Sequence, residues 1–249
     1  MDRALYVAMT GARATLQAQT AVSHNIANAN TAGFKAALTN TEAFRVPGQG
    51  YGSRIDALSV DQGFDRSTGA QQVTGNALDI SLQEDRWLAV QAPTGEEAYT
   101  RGGNLALTPN GQLVTLTCHA VQGENGEPMV IPPHQSMDIG NDGTVSIVPL
   151  GEGPQTMAVV GRLKIVEAPA GRLQRGADGL MRNTDPQQAF AQATGNAMSS
   201  GMLESSNVDA AGSLVQMIQL QRSFEMQVKL IKSGDEITQS SNTLMRLNG

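Results

Sequence analysis

From Leu214, steps of alternately three and four residues land on Met217, Gln221, Phe224, Val228, Ile231, Asp235, Thr238, Asn242 and Met245, the spacing of a heptad seam with polar positions let in. A neighbouring stripe, Leu230, Ile237 and Leu244, repeats every seven residues and widens the apolar face. The pattern predicts one long amphipathic helix from Ser206 to Leu247, with Asn207 as N-cap, Asp209 in the first turn and Asn248-Gly249 at the end. No proline interrupts it. Roughly forty residues at about 1.5 Å each make a rod near 60 Å, about twice the diameter of a small domain. Gln221, Asp235 and Asn242 weaken burial but can set register. Two readings stay open: a terminal helix packed on its own domain, or one that awaits a partner.

A second amphipathic helix is predicted from Asp2, placed to cap it, to about Asn28. Leu5, Ala12, Gln19 and Ile26 recur every seven, flanked by Ala8, Thr15 and Val22 and by Met9 and Leu16. These side chains are small, so a partner helix can approach closely. The helix runs into a stretch from Ser23 to Lys35 where Asn25, Asn28, Asn30, Thr31 and Gly33 accumulate, a composition that stops helices. We read it as a C-cap and turn with Phe34 folding back as an anchor. For each asparagine, a helix-stop role is favoured over a subunit contact.

Residues 46–76 are polar and glycine-rich and read as an extended connector. Residues 77–205 change to short alternating runs broken by turn signals. Leu105 and Leu107 lead through Thr108-Pro109-Asn110-Gly111 to Leu113-Val114-Thr115-Leu116, and Gly140-Asn141-Asp142-Gly143 separates Met137-Asp138-Ile139 from Val145-Ser146-Ile147. Both are hairpin signals. Met157 to Val166 adds a strand or two, and Asp178-Gly179-Leu180-Met181 a turn. The predicted class is α+β: long N- and C-terminal helices pairing as a coiled coil (residues 1–45 holding the first helix and its turn, 206–249 the second), with a central all-β module, a small barrel or sandwich.

The formal charge of −6, with no basic run, argues against a nucleic-acid backbone as partner. The start has no basic region followed by an apolar one, and no apolar run is long enough to cross a bilayer, so composition alone reads as soluble and cytoplasmic. His24, His119 and His134 fall in no zinc pattern. Cys118 beside His119 is no nucleophile and base, because neighbours on a strand point to opposite faces. Asp79, Glu84 and Asp85 read as solvated turn residues rather than an acid/base pair, and Gly102-Gly103-Asn104 as a turn rather than a phosphate cradle. No catalytic, cofactor or metal site is predicted, and no small-molecule substrate.

Three stretches resemble the axial proteins of the bacterial flagellum, the rod and hook subunits. Asn25-Ile26-Ala27-Asn28-Ala29-Asn30-Thr31-Ala32-Gly33-Phe34-Lys35 is similar to that family's ANxNTxGFK signature. Ser206-Asn207-Val208-Asp209, Gln221-Arg222-Ser223-Phe224-Glu225 and Asp235-Glu236 are similar to its terminal helix motif. Thr74-Gly75-Asn76-Ala77-Leu78-Asp79-Ile80, Tyr99-Thr100-Arg101-Gly102-Gly103-Asn104-Leu105 and Asn110-Gly111-Gln112-Leu113-Val114-Thr115 resemble its β-module. The opening residues, and the length, most resemble proximal-rod members. Two places depart: Glu84-Asp85-Arg86-Trp87-Leu88 stands where Gly-Asp-Gly-Phe-Phe is usual, and Cys118 where glycine is common.

The resemblance implies a structural, non-enzymatic subunit of the flagellar rod. It would be exported without a cleaved signal peptide to the periplasm-spanning basal body, its partners being other rod subunits, copies of itself and the export apparatus. The implied assembly interface is Leu5, Ala12, Leu16, Val22, Ile26, Asn28, Asn30, Gly33, Phe34, Leu214, Met217, Gln221, Phe224, Val228, Ile231, Ile237, Leu244 and Met245. A distal rod or hook subunit is the runner-up, though no hook-type insertion is apparent. A rod-associated cell-wall hydrolase would need a carboxylate cleft that the sequence does not offer.

Overall fold

The computed structural model describes residues 2–45, 55–151, 153, 156–169 and 171–247. They fall into two units: Met1–Ala29, Ala36–Asp65 and Val208–Gly249 make one, Asn30–Lys35 and Arg66–Asn207 the other.

The first unit contains helix α1 (Asp2–Ala27), strands β1 (Ala37–Arg45) and β2 (Ile55–Phe64), and helix α2 (Ala210–Leu247). Helix α2 starts where Asp209 Oδ1 accepts the Ala211 amide at 3.1 Å and the Asp209 carbonyl accepts that of Ser213 at 2.9 Å. The cap is therefore Asp209 rather than Asn207, whose side-chain amide instead donates to Ser67 O at 3.0 Å. Helix α1 ends as its asparagines predict: the Asn28 side chain donates back to His24 O at 2.9 Å. The Asp2 side chain and residues 248–249 lie outside the described residues.

Strands β1 and β2 form an antiparallel ribbon from Ala37↔Phe64 to Arg45↔Ile55, with a register shift at Leu38/Thr39. The sequence pattern predicts a connector over 46–76, yet 55–64 is a strand. The reason is physical: β1 is exposed beyond its first residue and the described side chains of β2 are at most partly buried, so no fully buried face imposes a two-residue hydrophobic period. Part of the support comes from Asn25, which donates to Ala37 O at 3.0 Å and accepts from Ala37 N at 2.8 Å, imitating a strand neighbour at the start of β1. Residues 46–54 of the connector lie outside the described residues.

The second unit carries short strands: β3 (Gln71–Val73), β4 (Ile80–Leu82), β5 (Arg86–Gln91), β6 (Glu97–Thr100), β7 (Leu105–Leu107), β8 (Leu113–Thr115), β9 (Ala120–Val121), β10 (His134–Ile139), β11 (Thr144–Pro149), β12 (Ala158–Arg162), β13 (Ile165–Glu167), β14 (Leu173–Arg175), β15 (Met181–Asn183), β16 (Ala191–Gln192), β17 (Met198–Ser200) and β18 (Met202–Glu204). The largest sheet runs β14-β15-β6-β5-β9-β8-β7, with β13 pairing both β5 and β16; β10-β11-β12 form a second, and β17-β4 and β18-β3 are pairs. Every pairing is antiparallel, and the sheets are open. The two predicted hairpins are present, as β7–β8 and β10–β11, and the predicted turn at Asp178-Gly179-Leu180-Met181 joins the antiparallel pair β14–β15. Leu88, Val90, Leu113, Val121, Ile139, Val145, Ile165 and Met198 form one aliphatic core, in keeping with an aromatic content of 4%.

Candidate assembly surface

Helices α1 and α2 pack antiparallel. Leu5 lies against Gly234, Gly11 against Gln227, and the Thr15 hydroxyl 3.3 Å from Gln227 Oε1. The absence of a side chain at Gly11 and Gly234 permits this approach, as the small residues of α1 predict. On α2, the partly buried positions step through Met217, Leu220, Phe224, Gln227, Ile231, Gly234 and Thr238. The three-four spacing is the predicted one, but two positions fall one residue earlier. Leu220 and Gly234 take the places expected for Gln221 and Asp235, which are exposed, while Val228 is partly buried beside Gln227.

Of the residues predicted at an interface, Val22 is buried, and Leu5, Ala12, Ile26, Asn28, Gly33, Phe34, Met217, Phe224, Val228 and Ile231 are partly buried. Leu16, Asn30, Leu214, Gln221 and Ile237 are exposed, and the side chains of Leu244 and Met245, like that of the seam residue Asn242, lie outside the described residues. Tyr6 and Met9 join Leu16 on the exposed side of α1, and Ile218, Met226 and Leu230 are exposed on α2. The structure thus separates the apolar positions into those used between the two helices and those left facing solvent.

The turn after α1 belongs to the β unit. Gly33, at φ 69°, donates its amide to Glu204 O at 2.8 Å, and a Cβ there would sit 2.1 Å from Arg101 O. Phe34 anchors as predicted, its ring 4.8 Å from the Arg175 guanidinium. Lys35 is buried: its ammonium donates to Glu204 Oε1 and to Ser67 O, both at 2.7 Å. Glu204 Oε1 also accepts the Gly69 amide at 2.9 Å, and Oε2 accepts Arg101 Nε at 2.8 Å and Nη2 at 2.6 Å. The remaining Arg101 donors reach the carbonyls of Leu82, Gln83 and Arg86, so all five N–H groups of the guanidinium are used. Each of the three charged side chains is about 2% exposed.

Burial alone would push the Glu204 carboxyl up, but the Arg101 guanidinium, the Lys35 ammonium and the Gly69 amide together hold it below its usual range. Removing one member of such a buried set costs about 3–5 kcal/mol, because a charge is left unpaired. Sequence reasoning used Lys35 and Arg101 only as parts of motifs and missed Glu204 altogether. The available signal was a lone carboxylate in the short apolar strand Met202-Leu203-Glu204.

Cys118 lies not in a strand but in the turn from β8 to β9, exposed, with φ 62°. Among the described residues no His, Cys, Asp or Glu group is arranged to hold a metal ion, and no helix is long and apolar enough to cross a membrane.

The flagellar basal-body rod protein FlgF of Salmonella typhimurium is 41% identical to this chain over 253 residues, covering 100% of each. This chain belongs to the flagellar basal-body rod proteins. The FlgF rod protein of Escherichia coli is 40% identical over the whole of both chains, and the rod protein FlgG of Bacillus subtilis 32% over 99% of this chain and 100% of its own. Three family models match: Flagella basal body rod protein over residues 5–35, Flagellar hook protein FlgE/F/G D1 domain over 81–147, and Flagellar basal body rod FlgEFG protein C-terminal over 199–244. Each matched rod-protein segment contributes one member of the buried set: Lys35, Arg101 and Glu204 respectively.

Proposed function

We propose that the chain is a structural subunit of the bacterial flagellar rod, built into a helical assembly through its terminal helices and transmitting torque mechanically. The observation that carries this reading is the full-length similarity to rod proteins of the FlgF kind. Physical support comes from α1 and α2, which pack on each other at heptad spacing and still expose Tyr6, Met9, Leu16, Leu214, Leu230 and Ile237. In this reading the helices pair as a coiled coil, and neighbouring copies and other rod subunits cover the exposed stripe. The contact is heterologous with a rotation that does not close, so a tube grows instead of a ring. The basal body is the site of assembly, and the export apparatus is the earlier partner.

The test follows from the division of apolar positions. Leu230→Asp and Ile237→Asp fall on exposed side chains, so the purified chain should keep its melting behaviour while cells carrying either variant lose rods and swimming. Phe224→Asp and Ile231→Asp, within the helix pair, should lose both helix pairing and incorporation while the β unit stays folded. Normal rods and motility with Leu230→Asp and Ile237→Asp together would refute an assembly role for this face.

A further inference from the structure

The chain passes between its two units four times, after Ala29, Lys35, Asp65 and Asn207. Within the β unit, every segment that carries a passage is bonded into the neighbourhood of one carboxylate. Residues 30–35 bring Gly33 N to Glu204 O and Lys35 Nζ to Glu204 Oε1. Residues 66–70 bring Gly69 N to Glu204 Oε1, Ser67 O to Lys35 Nζ, and Ala70 O to the Ser205 amide at 2.9 Å. The segment leaving toward α2 places Asn207 N 3.3 Å from Phe34 O and Asn207 Nδ2 3.0 Å from Ser67 O. Arg101 joins the same carboxylate to the core sheet, through its bonds to carbonyls around β4 and β5.

We propose that Glu204, with Lys35 and Arg101, is a completeness clamp: the β unit reaches its stable form only when the segment that follows α1 and the segment that precedes α2 are both seated in it. Lys35 and Glu204 are 169 residues apart in sequence, so the clamp closes only on a chain almost fully available for folding. A partly available chain leaves either Glu204 absent, with Arg101 and Lys35 buried without a counter-charge, or Lys35 absent. Neither state is stable, and the roots of the two helices are fixed together or not at all. The clamp thereby sets when a subunit becomes competent to assemble. That last meaning rests on the rod reading, whereas the clamp itself is a property of the isolated chain.

The experiment is hydrogen exchange and denaturant unfolding on the full-length chain and three variants, Glu204→Gln, Lys35→Met and Glu204→Gln/Lys35→Met. Glu204→Gln leaves two buried cations and should lower protection of amides across the core sheet, Val90, Leu113 and Val121 included, by roughly two to three powers of ten. Lys35→Met leaves a neutral Arg101–Glu204 pair and should lower it less. The double variant should recover part of what Glu204→Gln lost, a coupling that simple loss of a strand residue would not produce. If Glu204→Gln instead quickens exchange only at Gly33 and Gly69 while the core sheet is unchanged, or if the two substitutions simply add, the clamp is refuted. Failure of the rod reading would show separately, as absence of the wild-type chain from rods.

Discussion

Gly33 and Gly75 share a left-handed backbone, at φ 69° and 71°, and differ in what surrounds them. A Cβ on Gly33 would overlap Arg101 O, while one on Gly75 would meet nothing within 4 Å. Gly75→Ala should therefore cost only the strain of the conformation, about 1–2 kcal/mol, and Gly33→Ala clearly more, since a backbone segment of the buried charge cluster must also move. Chemical denaturation of the two variants makes the comparison. Cys118 is the mirror case, a side chain at φ 62°, a backbone conformation that favours glycine. Cys118→Gly should raise stability by roughly 0.5–1 kcal/mol, measured as a higher denaturant midpoint at unchanged slope. The other departure from the family pattern also surrounds a left-handed residue, Asp85 at φ 59°, a type that tolerates it better than most. Glu204 gives a pH dependence. Its folded carboxyl is held below the usual value, so its stabilisation is complete above about pH 4.3 and is lost as the pH falls through the folded value. Acid unfolding of Glu204→Gln should lack that component.

At the level of elements, what was legible followed burial. The hairpins around Asn110-Gly111 and Gly140-Asn141-Asp142-Gly143 were readable because turn chemistry is local and their strands feed one aliphatic core. The β1–β2 ribbon was not, because β1 is exposed and β2 only partly covered, so neither strand shows a fully buried face. The α2 seam was legible in spacing and wrong by one residue at Gln221 and Asp235. A straight helix drifts about 20° per heptad from a strict seven-residue repeat, and glycine at position 234 offers close approach where hydrophobicity counting sees no candidate. The neighbours at Gly11 test this account: a Cβ there would lie 3.2 Å from the terminal Nε2 of Gln227, a flexible group able to move. Gly11→Ala should hold or raise helix stability by up to about 1 kcal/mol by circular dichroism melting, whereas Gly11→Leu should separate the pair.

For the whole molecule, terminal helices around a mostly β middle were readable, but the unit boundaries were not. Pattern reading assigns contiguous stretches to domains and so grouped the turn Asn30–Lys35 with the N-terminal helix, whereas hydrogen bonds to Glu204 and Asn207 seat those six residues in the β unit. The candidate assembly face was legible as apolar repeats; the clamp was not, because its members lie far apart in sequence and a buried charge looks like a surface one until its partners are known. Hydrogen exchange on the monomer should find slow amides throughout the β unit and faster ones along α1 and α2, whose exposed faces have few buried contacts. Uniform protection of both helices would contradict it.

The interleaved path also governs how such a chain can be recombined with its relatives. A cassette cut at 77–205 would carry Arg101 and Glu204 away from Lys35 and Gly69, and the recipient would have to supply both. Working chimeras should therefore join before Asn30 and beyond Asn207, so that residues 30–35 come from the same parent as the β unit.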